Sequence, residues 1–110
     1  MSILDTTIEP EIAARLCTLF LNTHASILQF PKQEKYLLGS RLESALIDAT
    51  SYVYLAANEQ KGFKTTPLMR ALAQMGLATV LLRCAFTLKL ISIGQYQRLG
   101  AEAEKLKVKN

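Results

Sequence analysis

Helix-breaking residues fall at only three places in this sequence, and their spacing constrains the fold more than any other feature. They are Pro31, the segment KGFKTTP (61–67) and the segment SIG (92–94). Between these breaks the apolar residues recur every three to four positions, which is typical of helices, and no useful length alternates as a strand would. Short connections join antiparallel neighbours, so the sequence predicts an all-α, up-down-up-down antiparallel four-helix bundle. A chain of 110 residues forms one domain, 1–110.

The helix boundaries follow from these breaks. The predicted helices span about residues 9–29, 31–58, 67–90 and 92–107. Pro31 suits the first turn of the second helix, and Thr66 followed by Pro67 suits the N-cap and first position of the third. Gly39 falls inside the second helix, where glycine costs about 1 kcal/mol relative to alanine. We expect its α-carbon to face the backbone of a closely approaching neighbour.

The third predicted helix is apolar almost all round over residues 68–90. A helix without a polar face has to be covered on all sides, and a single four-helix bundle leaves one flank open. Arg83, near the middle of this run, argues against a membrane span. On the second helix, Tyr36, Ile47 and Tyr54 form an apolar stripe opposite the predicted core face. Both features predict a homo-oligomer, with this stripe in its interface.

The positive charge of the chain is unevenly distributed. The formal net charge is +4, residues 1–14 contain acidic but no basic residues, and no acidic residue occurs from Gln60 to Ala101. This asymmetry favours an anionic partner, nucleic acid first and a membrane surface second; the alternative is that the charge serves solubility alone. The candidate nucleic-acid contacts are Arg83, Lys89, Arg70, Arg98, Lys32, Lys35 and Arg41.

Arg83 interrupts the apolar sequence VLLRCAF (80–86), where an unpaired buried charge would be costly. Two interpretations follow: Arg83 pairs with an acidic residue across a bundle interface, or it lines a solvated functional surface. The basic residues do not form a stripe on one helix, since Arg83 lies about 220° around the axis from Arg70. A continuous basic patch would therefore be assembled between helices or subunits.

The sequence offers no residues that point to catalysis or to a cofactor. His24 is the only histidine, and no nucleophile motif accompanies it, Cys17 or Cys84. We interpret His24 as a core or rim histidine. The Glu-x-x-His pairs of bundle metal sites are absent, and the five glycines never cluster into a phosphate-binding loop. We therefore expect no catalytic residue, no metal, no cofactor and no enzymatic activity.

The two cysteines indicate the compartment. Cys17 and Cys84 are isolated in apolar surroundings, which predicts buried thiols in a reducing cytoplasm; the alternative is a disulfide between them. The acidic N-terminal residues lack the features of a signal peptide. The sequence thus predicts a cytoplasmic protein.

Two stretches of the sequence, FPKQEKYLLGSRLESALIDA (30–49) and LLRCAFTLKLISIGQYQRLG (81–100), resemble motifs of a family of small four-helix bundles. That family includes proteins encoded in intervening sequences of bacterial 23S rRNA genes and the accessory variability proteins of diversity-generating retroelements. The matching positions are Phe30, Pro31, Lys32, Glu34, Lys35, Tyr36, Leu38, Gly39, Arg41, Leu82, Arg83, Leu88, Lys89, Gln95, Tyr96 and Leu99. The resemblance covers about residues 12–106, but the Gly-Arg-x-x-Gly-Gly-Trp ending of many members is absent.

The resemblance implies a non-catalytic basic bundle. Members of the retroelement branch are similar to a homopentameric barrel that binds nucleic acid and the element's reverse transcriptase and supports mutagenic retrohoming. For this chain it implies a homopentamer with a reverse transcriptase and RNA or DNA as partners, and Arg83 and Lys89 as the first contacts. The alternative is a structural or protein-interaction bundle of the intervening-sequence branch, with no nucleic-acid role, that binds a protein through Tyr36, Ile47 and Tyr54.

Overall fold

The computed structural model describes residues 10–60 and 62–106, and all regular secondary structure within these ranges is helical, as predicted. The elements are α1 (Pro10–Ile27), α2 (Lys32–Glu34), a π-helical turn (Lys35–Gly39), α3 (Ser40–Ala57), α4 (Thr65–Thr87) and α5 (Ile93–Glu104). Because α2, the π-helical turn and α3 follow one another without a break, the described ranges contain four helices. The predicted helix ends Glu9 and Lys107, and the basic residue Lys61, lie outside these ranges.

The four helices pack as a bundle in which α1 contacts α3 and α5, and α4 contacts the same two helices. Hydrogen bonds show the direction of α1 relative to α5. The Asn22 side-chain amide donates to the Glu102 carboxylate at 3.0 Å, and the Gln95 amide donates to Ser26 Oγ at 3.4 Å. Residue numbers therefore rise along α1 while they fall along α5, so these two helices are antiparallel.

One face of each helix builds the core. Its buried residues are Leu19, Ile27, Phe30, Leu42, Ala45, Leu46, Ala49, Met75, Ala78, Leu82, Ala85, Ile91, Leu99 and Ala103. Alanines are concentrated where α3 meets α4, and small side chains at that interface allow the two helix backbones to approach closely. The apolar periodicity predicts a core face of seven residues on the second helix. Of these, Leu42, Ala45, Ala49 and Ala56 are buried, and Leu38, Tyr52 and Val53 are partly buried.

The predicted roles of two prolines were wrong by one or two positions. Pro31 has an extended ψ of 148° and is the N-cap, so the second helix begins after it at Lys32. Pro67 is the third residue of α4, which begins at Thr65 with Lys64 as its N-cap and without a side-chain cap. Both positions suit proline, because the first backbone N–H groups of a helix have no intrahelical acceptor.

Gly39 is approached by side chains and not, as predicted, by the backbone of another helix. A Cβ atom at this position would lie 2.7 Å from Ile27 Cγ2 and 3.6 Å from Phe30 Cδ2. Both side chains are buried at the end of α1. The predicted close approach is observed. The approaching group is the side chain of Ile27, which packs the end of α1 against the π-helical turn.

The turn between α4 and α5 is closed by two local motifs. The N–H of Leu90 donates to the Ala85 carbonyl and the N–H of Lys89 to the Phe86 carbonyl, which is the pattern of a Schellman C-cap. Ser92 then caps α5 in a capping box with Gln95. α4 consequently ends at Thr87, three residues before the predicted boundary.

Candidate nucleic-acid interface

Five of the seven predicted nucleic-acid contacts lie toward one end of the bundle. α1 and α4 end there, and the second helix and α5 begin there. Ile27 packs against Gly39, and Phe86 stacks on Tyr96 with ring centroids 4.9 Å apart. The hydrogen bond from the Gln95 amide to Ser26 links these two pairs of helix ends. We call this region the basic end, defined by Lys32, Lys35, Arg41, Arg83 and Lys89.

Arg83 is exposed on α4 and makes no ion pair or hydrogen bond with any side chain of the described residues. Within the described part of one chain, Arg83 therefore does not pair with an acidic residue. The guanidinium group lies one turn before the end of α4 at Thr87. Its charge is available to a partner of opposite sign.

Lys89 has an unusual backbone conformation. Its φ angle is +63°, in the left-handed region, and it is the C′ residue of the Schellman motif. Glycine is the usual residue at this position, because a side chain there costs about 1–2 kcal/mol. The chain thus keeps an exposed lysine where a glycine would fit better. Such a local cost is frequently found at functional positions.

The other two predicted contacts are not part of the basic end as defined: Arg70 lies at the opposite end of the bundle, and Arg98 lies on the side of α5 that bonds α1. Arg70 lies near the beginning of α4, at the opposite end of the bundle, with its guanidinium carbon 5.9 Å from the ring centre of Tyr52. Arg98 lies on α5 between Gln95 and Glu102, whose side chains bond α1. It therefore belongs to the α1–α5 seam and not to the outward side of α4.

The basic end also contains carboxylates. Glu34 is partly buried, and Glu43 is engaged by His24, with 2.6 Å between Oε2 and Nδ1. His24 also stacks on Phe20, at 6.2 Å between ring centroids. His24 is exposed, so of the two predicted positions, core or rim, it occupies the rim. Five cations share this end with two carboxylates, which leaves an excess of positive charge for polyanions.

A second candidate surface is an apolar groove between α1 and α3, with a volume of about 370 Å³. Its lining includes Leu16, Cys17 and Phe20 from α1 and Ile47, Thr50 and Ser51 from α3. We call it the α1/α3 groove. Sequence analysis missed it, although the spacing of Cys17 and Phe20 on the edge of the apolar face of α1 is a signal for such a surface.

The predicted interface residues and cysteines are all exposed. Tyr36, Ile47 and Tyr54 each expose half or more of their surface, as the predicted stripe requires, and Ile47 lines the α1/α3 groove. Cys17 and Cys84 are free and exposed, so the prediction of buried thiols was wrong. The apolar neighbours that suggested burial are themselves partly uncovered on α1 and α4.

α4 leaves much of its apolar surface uncovered. By length and composition it is the one described helix that could cross a membrane, and 28% of an 18-residue stretch of it is buried in the bundle. Met69 is 64% and Val80 59% exposed, and Leu72 and Leu77 are also exposed. Contiguous exposed apolar surface of this kind marks sites of interaction.

Comparisons of the chain with protein-family models, with curated proteins and with solved structures found no match. The resemblance to the retroelement and intervening-sequence bundles therefore stays a hypothesis carried by the two sequence motifs. Among residues 10–60 and 62–106, no group of three or more His, Cys, Asp or Glu side chains is placed to hold a metal ion.

Proposed function

We propose that this chain is a non-catalytic, cytoplasmic accessory protein of a diversity-generating retroelement. It acts as a homo-oligomer, binds RNA or DNA through the basic end, and binds the element's reverse transcriptase in support of mutagenic retrohoming. The observation that carries the nucleic-acid part is that Arg83 and Lys89 are both exposed near the end of α4, and that Arg83 has no carboxylate partner among the described residues.

The mechanism is electrostatic positioning. Lysine and arginine contacts with phosphates need little fixed geometry, and they supply affinity without reading the base sequence. The left-handed backbone at Lys89 supports a functional role for its side chain. Glycine at this position would make the fold more stable, so the lysine is kept at a cost in stability. Lys32 and Lys35 at the start of the second helix extend the same charged end.

The reverse transcriptase and the number five come from the family resemblance. The motif in 81–100 that carries this resemblance contains Arg83 and Lys89 and spans the turn between α4 and α5. The same turn holds the Schellman motif and the capping box. A rigid turn that presents two cations suits a docking element for a ribonucleoprotein.

The test is the salt dependence of nucleic-acid affinity. We expect single-stranded RNA or DNA to bind the wild type, with affinity that falls steeply between 50 and 200 mM salt, on the order of 10-fold or more for a few phosphate contacts. The double variant Arg83→Glu/Lys89→Glu should abolish binding. Absence of binding by the wild type, or binding that salt does not weaken, contradicts the proposal.

A matched control separates local from overall charge. The double variant Arg70→Glu/Lys105→Glu changes the net charge by the same amount, but both residues lie at the opposite end of the bundle. We expect it to retain most of the affinity. Equal loss in both double variants would mean that overall charge, and not the basic end, attracts nucleic acid.

The second candidate function is a protein-interaction bundle of the intervening-sequence branch. The exposed apolar surface of α4 and the α1/α3 groove favour it, since neither needs nucleic acid. The neighbouring genes discriminate the two functions: a reverse-transcriptase gene and a template repeat beside this gene support the retroelement role, and their absence supports the interaction bundle.

A further inference from the structure

The outward side of α4 carries a regular apolar stripe. Met69, Ala73, Leu77, Val80 and Cys84 are spaced by three or four residues and are all exposed. At 3.6 residues per turn they fall within about a quarter of the helix circumference. We call them the α4 stripe. It forms a convex ridge about four turns long on the uncovered side of the bundle.

The α1/α3 groove is the concave counterpart on the other side of the molecule. It opens between Cys17 and Phe20 on α1 and Ile47 and Thr50 on α3, and its lining is almost entirely apolar. Tyr54 continues the α3 edge beyond Ile47 by two turns and is also exposed. An apolar helix ridge and an apolar groove between two helices are the two halves of a helix-in-groove contact.

Charge favours a contact between these two different surfaces over a contact of like with like. Residues 62–101 contain five basic and no acidic residues, whereas residues 10–60 contain four basic and five acidic residues. Two α4 stripes packed on each other would bring Arg70 and Arg83 of both copies together without a carboxylate. Two grooves facing each other would enclose empty space, which protein interfaces avoid.

We propose that the α4 stripe of one copy docks into the α1/α3 groove of a second copy. This inference rests on the homo-oligomer of the proposed function and identifies its two contacting surfaces. Because the surfaces differ, the contact is heterologous, and each copy has one stripe and one groove to offer. The contact can therefore repeat from copy to copy. Arg83 stays on the rim of the stripe, where it is open to nucleic acid.

The two native cysteines test this contact, because Cys84 lies on the stripe and Cys17 lines the groove. A bismaleimide crosslinker should join wild-type chains into a ladder on denaturing gels. The variants Cys17→Ser and Cys84→Ser should each give no crosslink alone. A mixture of the two, exchanged before crosslinking, should give dimers and nothing larger.

Crosslinking of either single variant alone would show a contact of like with like and overturn the proposal. A mixture without dimers would overturn it as well. Neither result depends on nucleic acid, so failure of this contact is distinguishable from failure of the nucleic-acid function.

A second experiment disrupts the contact without touching the core. Val80→Glu places a carboxylate in the middle of the exposed stripe, and Leu28→Glu makes the same kind of change at an exposed residue outside both surfaces. By light scattering we expect Val80→Glu to be monomeric and Leu28→Glu to retain the wild-type mass, with unchanged helical circular dichroism in both. A folded Val80→Glu variant that keeps the wild-type mass, or a monomeric wild type, overturns the proposal.

Discussion

Ile27 fills the space in which a side chain at residue 39 would lie. A Cβ atom on Gly39 would be 2.7 Å from Ile27 Cγ2, and Ile27 is buried and branched at Cβ, so the methyl group has little freedom to move away. We expect Gly39→Ala to lower the free energy of unfolding by about 1–3 kcal/mol, the usual cost of overpacking, measured by urea denaturation.

Two comparisons isolate this contact. Gly100→Ala, where no atom lies within 4 Å of an added Cβ, should raise the free energy of unfolding by about 0.5–1 kcal/mol because alanine is the better helix former. In an Ile27→Ala background, Gly39→Ala should carry no cost. If Gly39→Ala stabilised the wild-type chain, the Ile27 side chain would have to move aside at little cost, and the close contact would not limit stability.

Lys89→Gly should stabilise the fold and weaken nucleic-acid binding at the same time. Its left-handed backbone suits glycine, so the free energy of unfolding should rise by about 1 kcal/mol. Lys89→Ala is the matched control: it removes the same charge and keeps the Cβ atom. Thermal melts and salt-dependent affinities of the two variants should show equal loss of binding and a gain in stability for glycine only.

The hydroxyl group of Thr23 is buried and has no hydrogen-bond partner among the described residues. The side chain is 1% exposed, so its polar atom loses water without compensation. Thr23→Val should raise the free energy of unfolding by about 1 kcal/mol. Thr23→Ser keeps the hydroxyl and loses the methyl group, and should lower it by about 0.5–1.5 kcal/mol. A lower denaturant midpoint for Thr23→Val would instead indicate that the hydroxyl group of Thr23 has a buried hydrogen-bond partner.

Ser92 should stabilise the fold by capping the N-terminus of α5. Its Oγ accepts from the backbone N–H of Gln95 at 3.1 Å, and the Gln95 side chain accepts from the Ser92 N–H at 2.8 Å. Ser92→Ala should cost about 1 kcal/mol in calorimetric stability, while Ser92→Gly and Ser92→Asp should cost a few tenths or less. Equal losses for alanine and aspartate would indicate that packing, not the cap, matters here.

Helix number, direction and core faces could be predicted from the sequence, because the breaks at Pro31, 61–67 and 92–94 are strong and the apolar periodicity between them is regular. The π-helical turn could not be predicted, because it inserts one extra residue into a stretch whose amino-acid composition is typical of an α-helix. Helix ends were displaced by up to three residues, as at the end of α4, where the Schellman motif stops the helix at Thr87.

The candidate site was predicted less completely than the fold. Arg83 and Lys89 were predicted as first contacts because they lie in the motif at 81–100, but their positions at one end of the bundle depend on how four helices meet. The left-handed conformation of Lys89 has no local sequence signal, because lysine is an unusual residue there. The burial of Cys17 and Cys84 was predicted wrongly for a physical reason: apolar neighbours in sequence also occur on helix faces that a monomer leaves uncovered.

The packing of α3 against α4 is the most extensive contact between helices, and these two are neighbours in the chain. α1, in contrast, meets α5 only through residues about 70 or more apart in sequence, such as Ser26 with Gln95. Contacts between near neighbours form with less loss of chain entropy. We therefore expect the α3–α4 hairpin to form before the seam between α1 and α5.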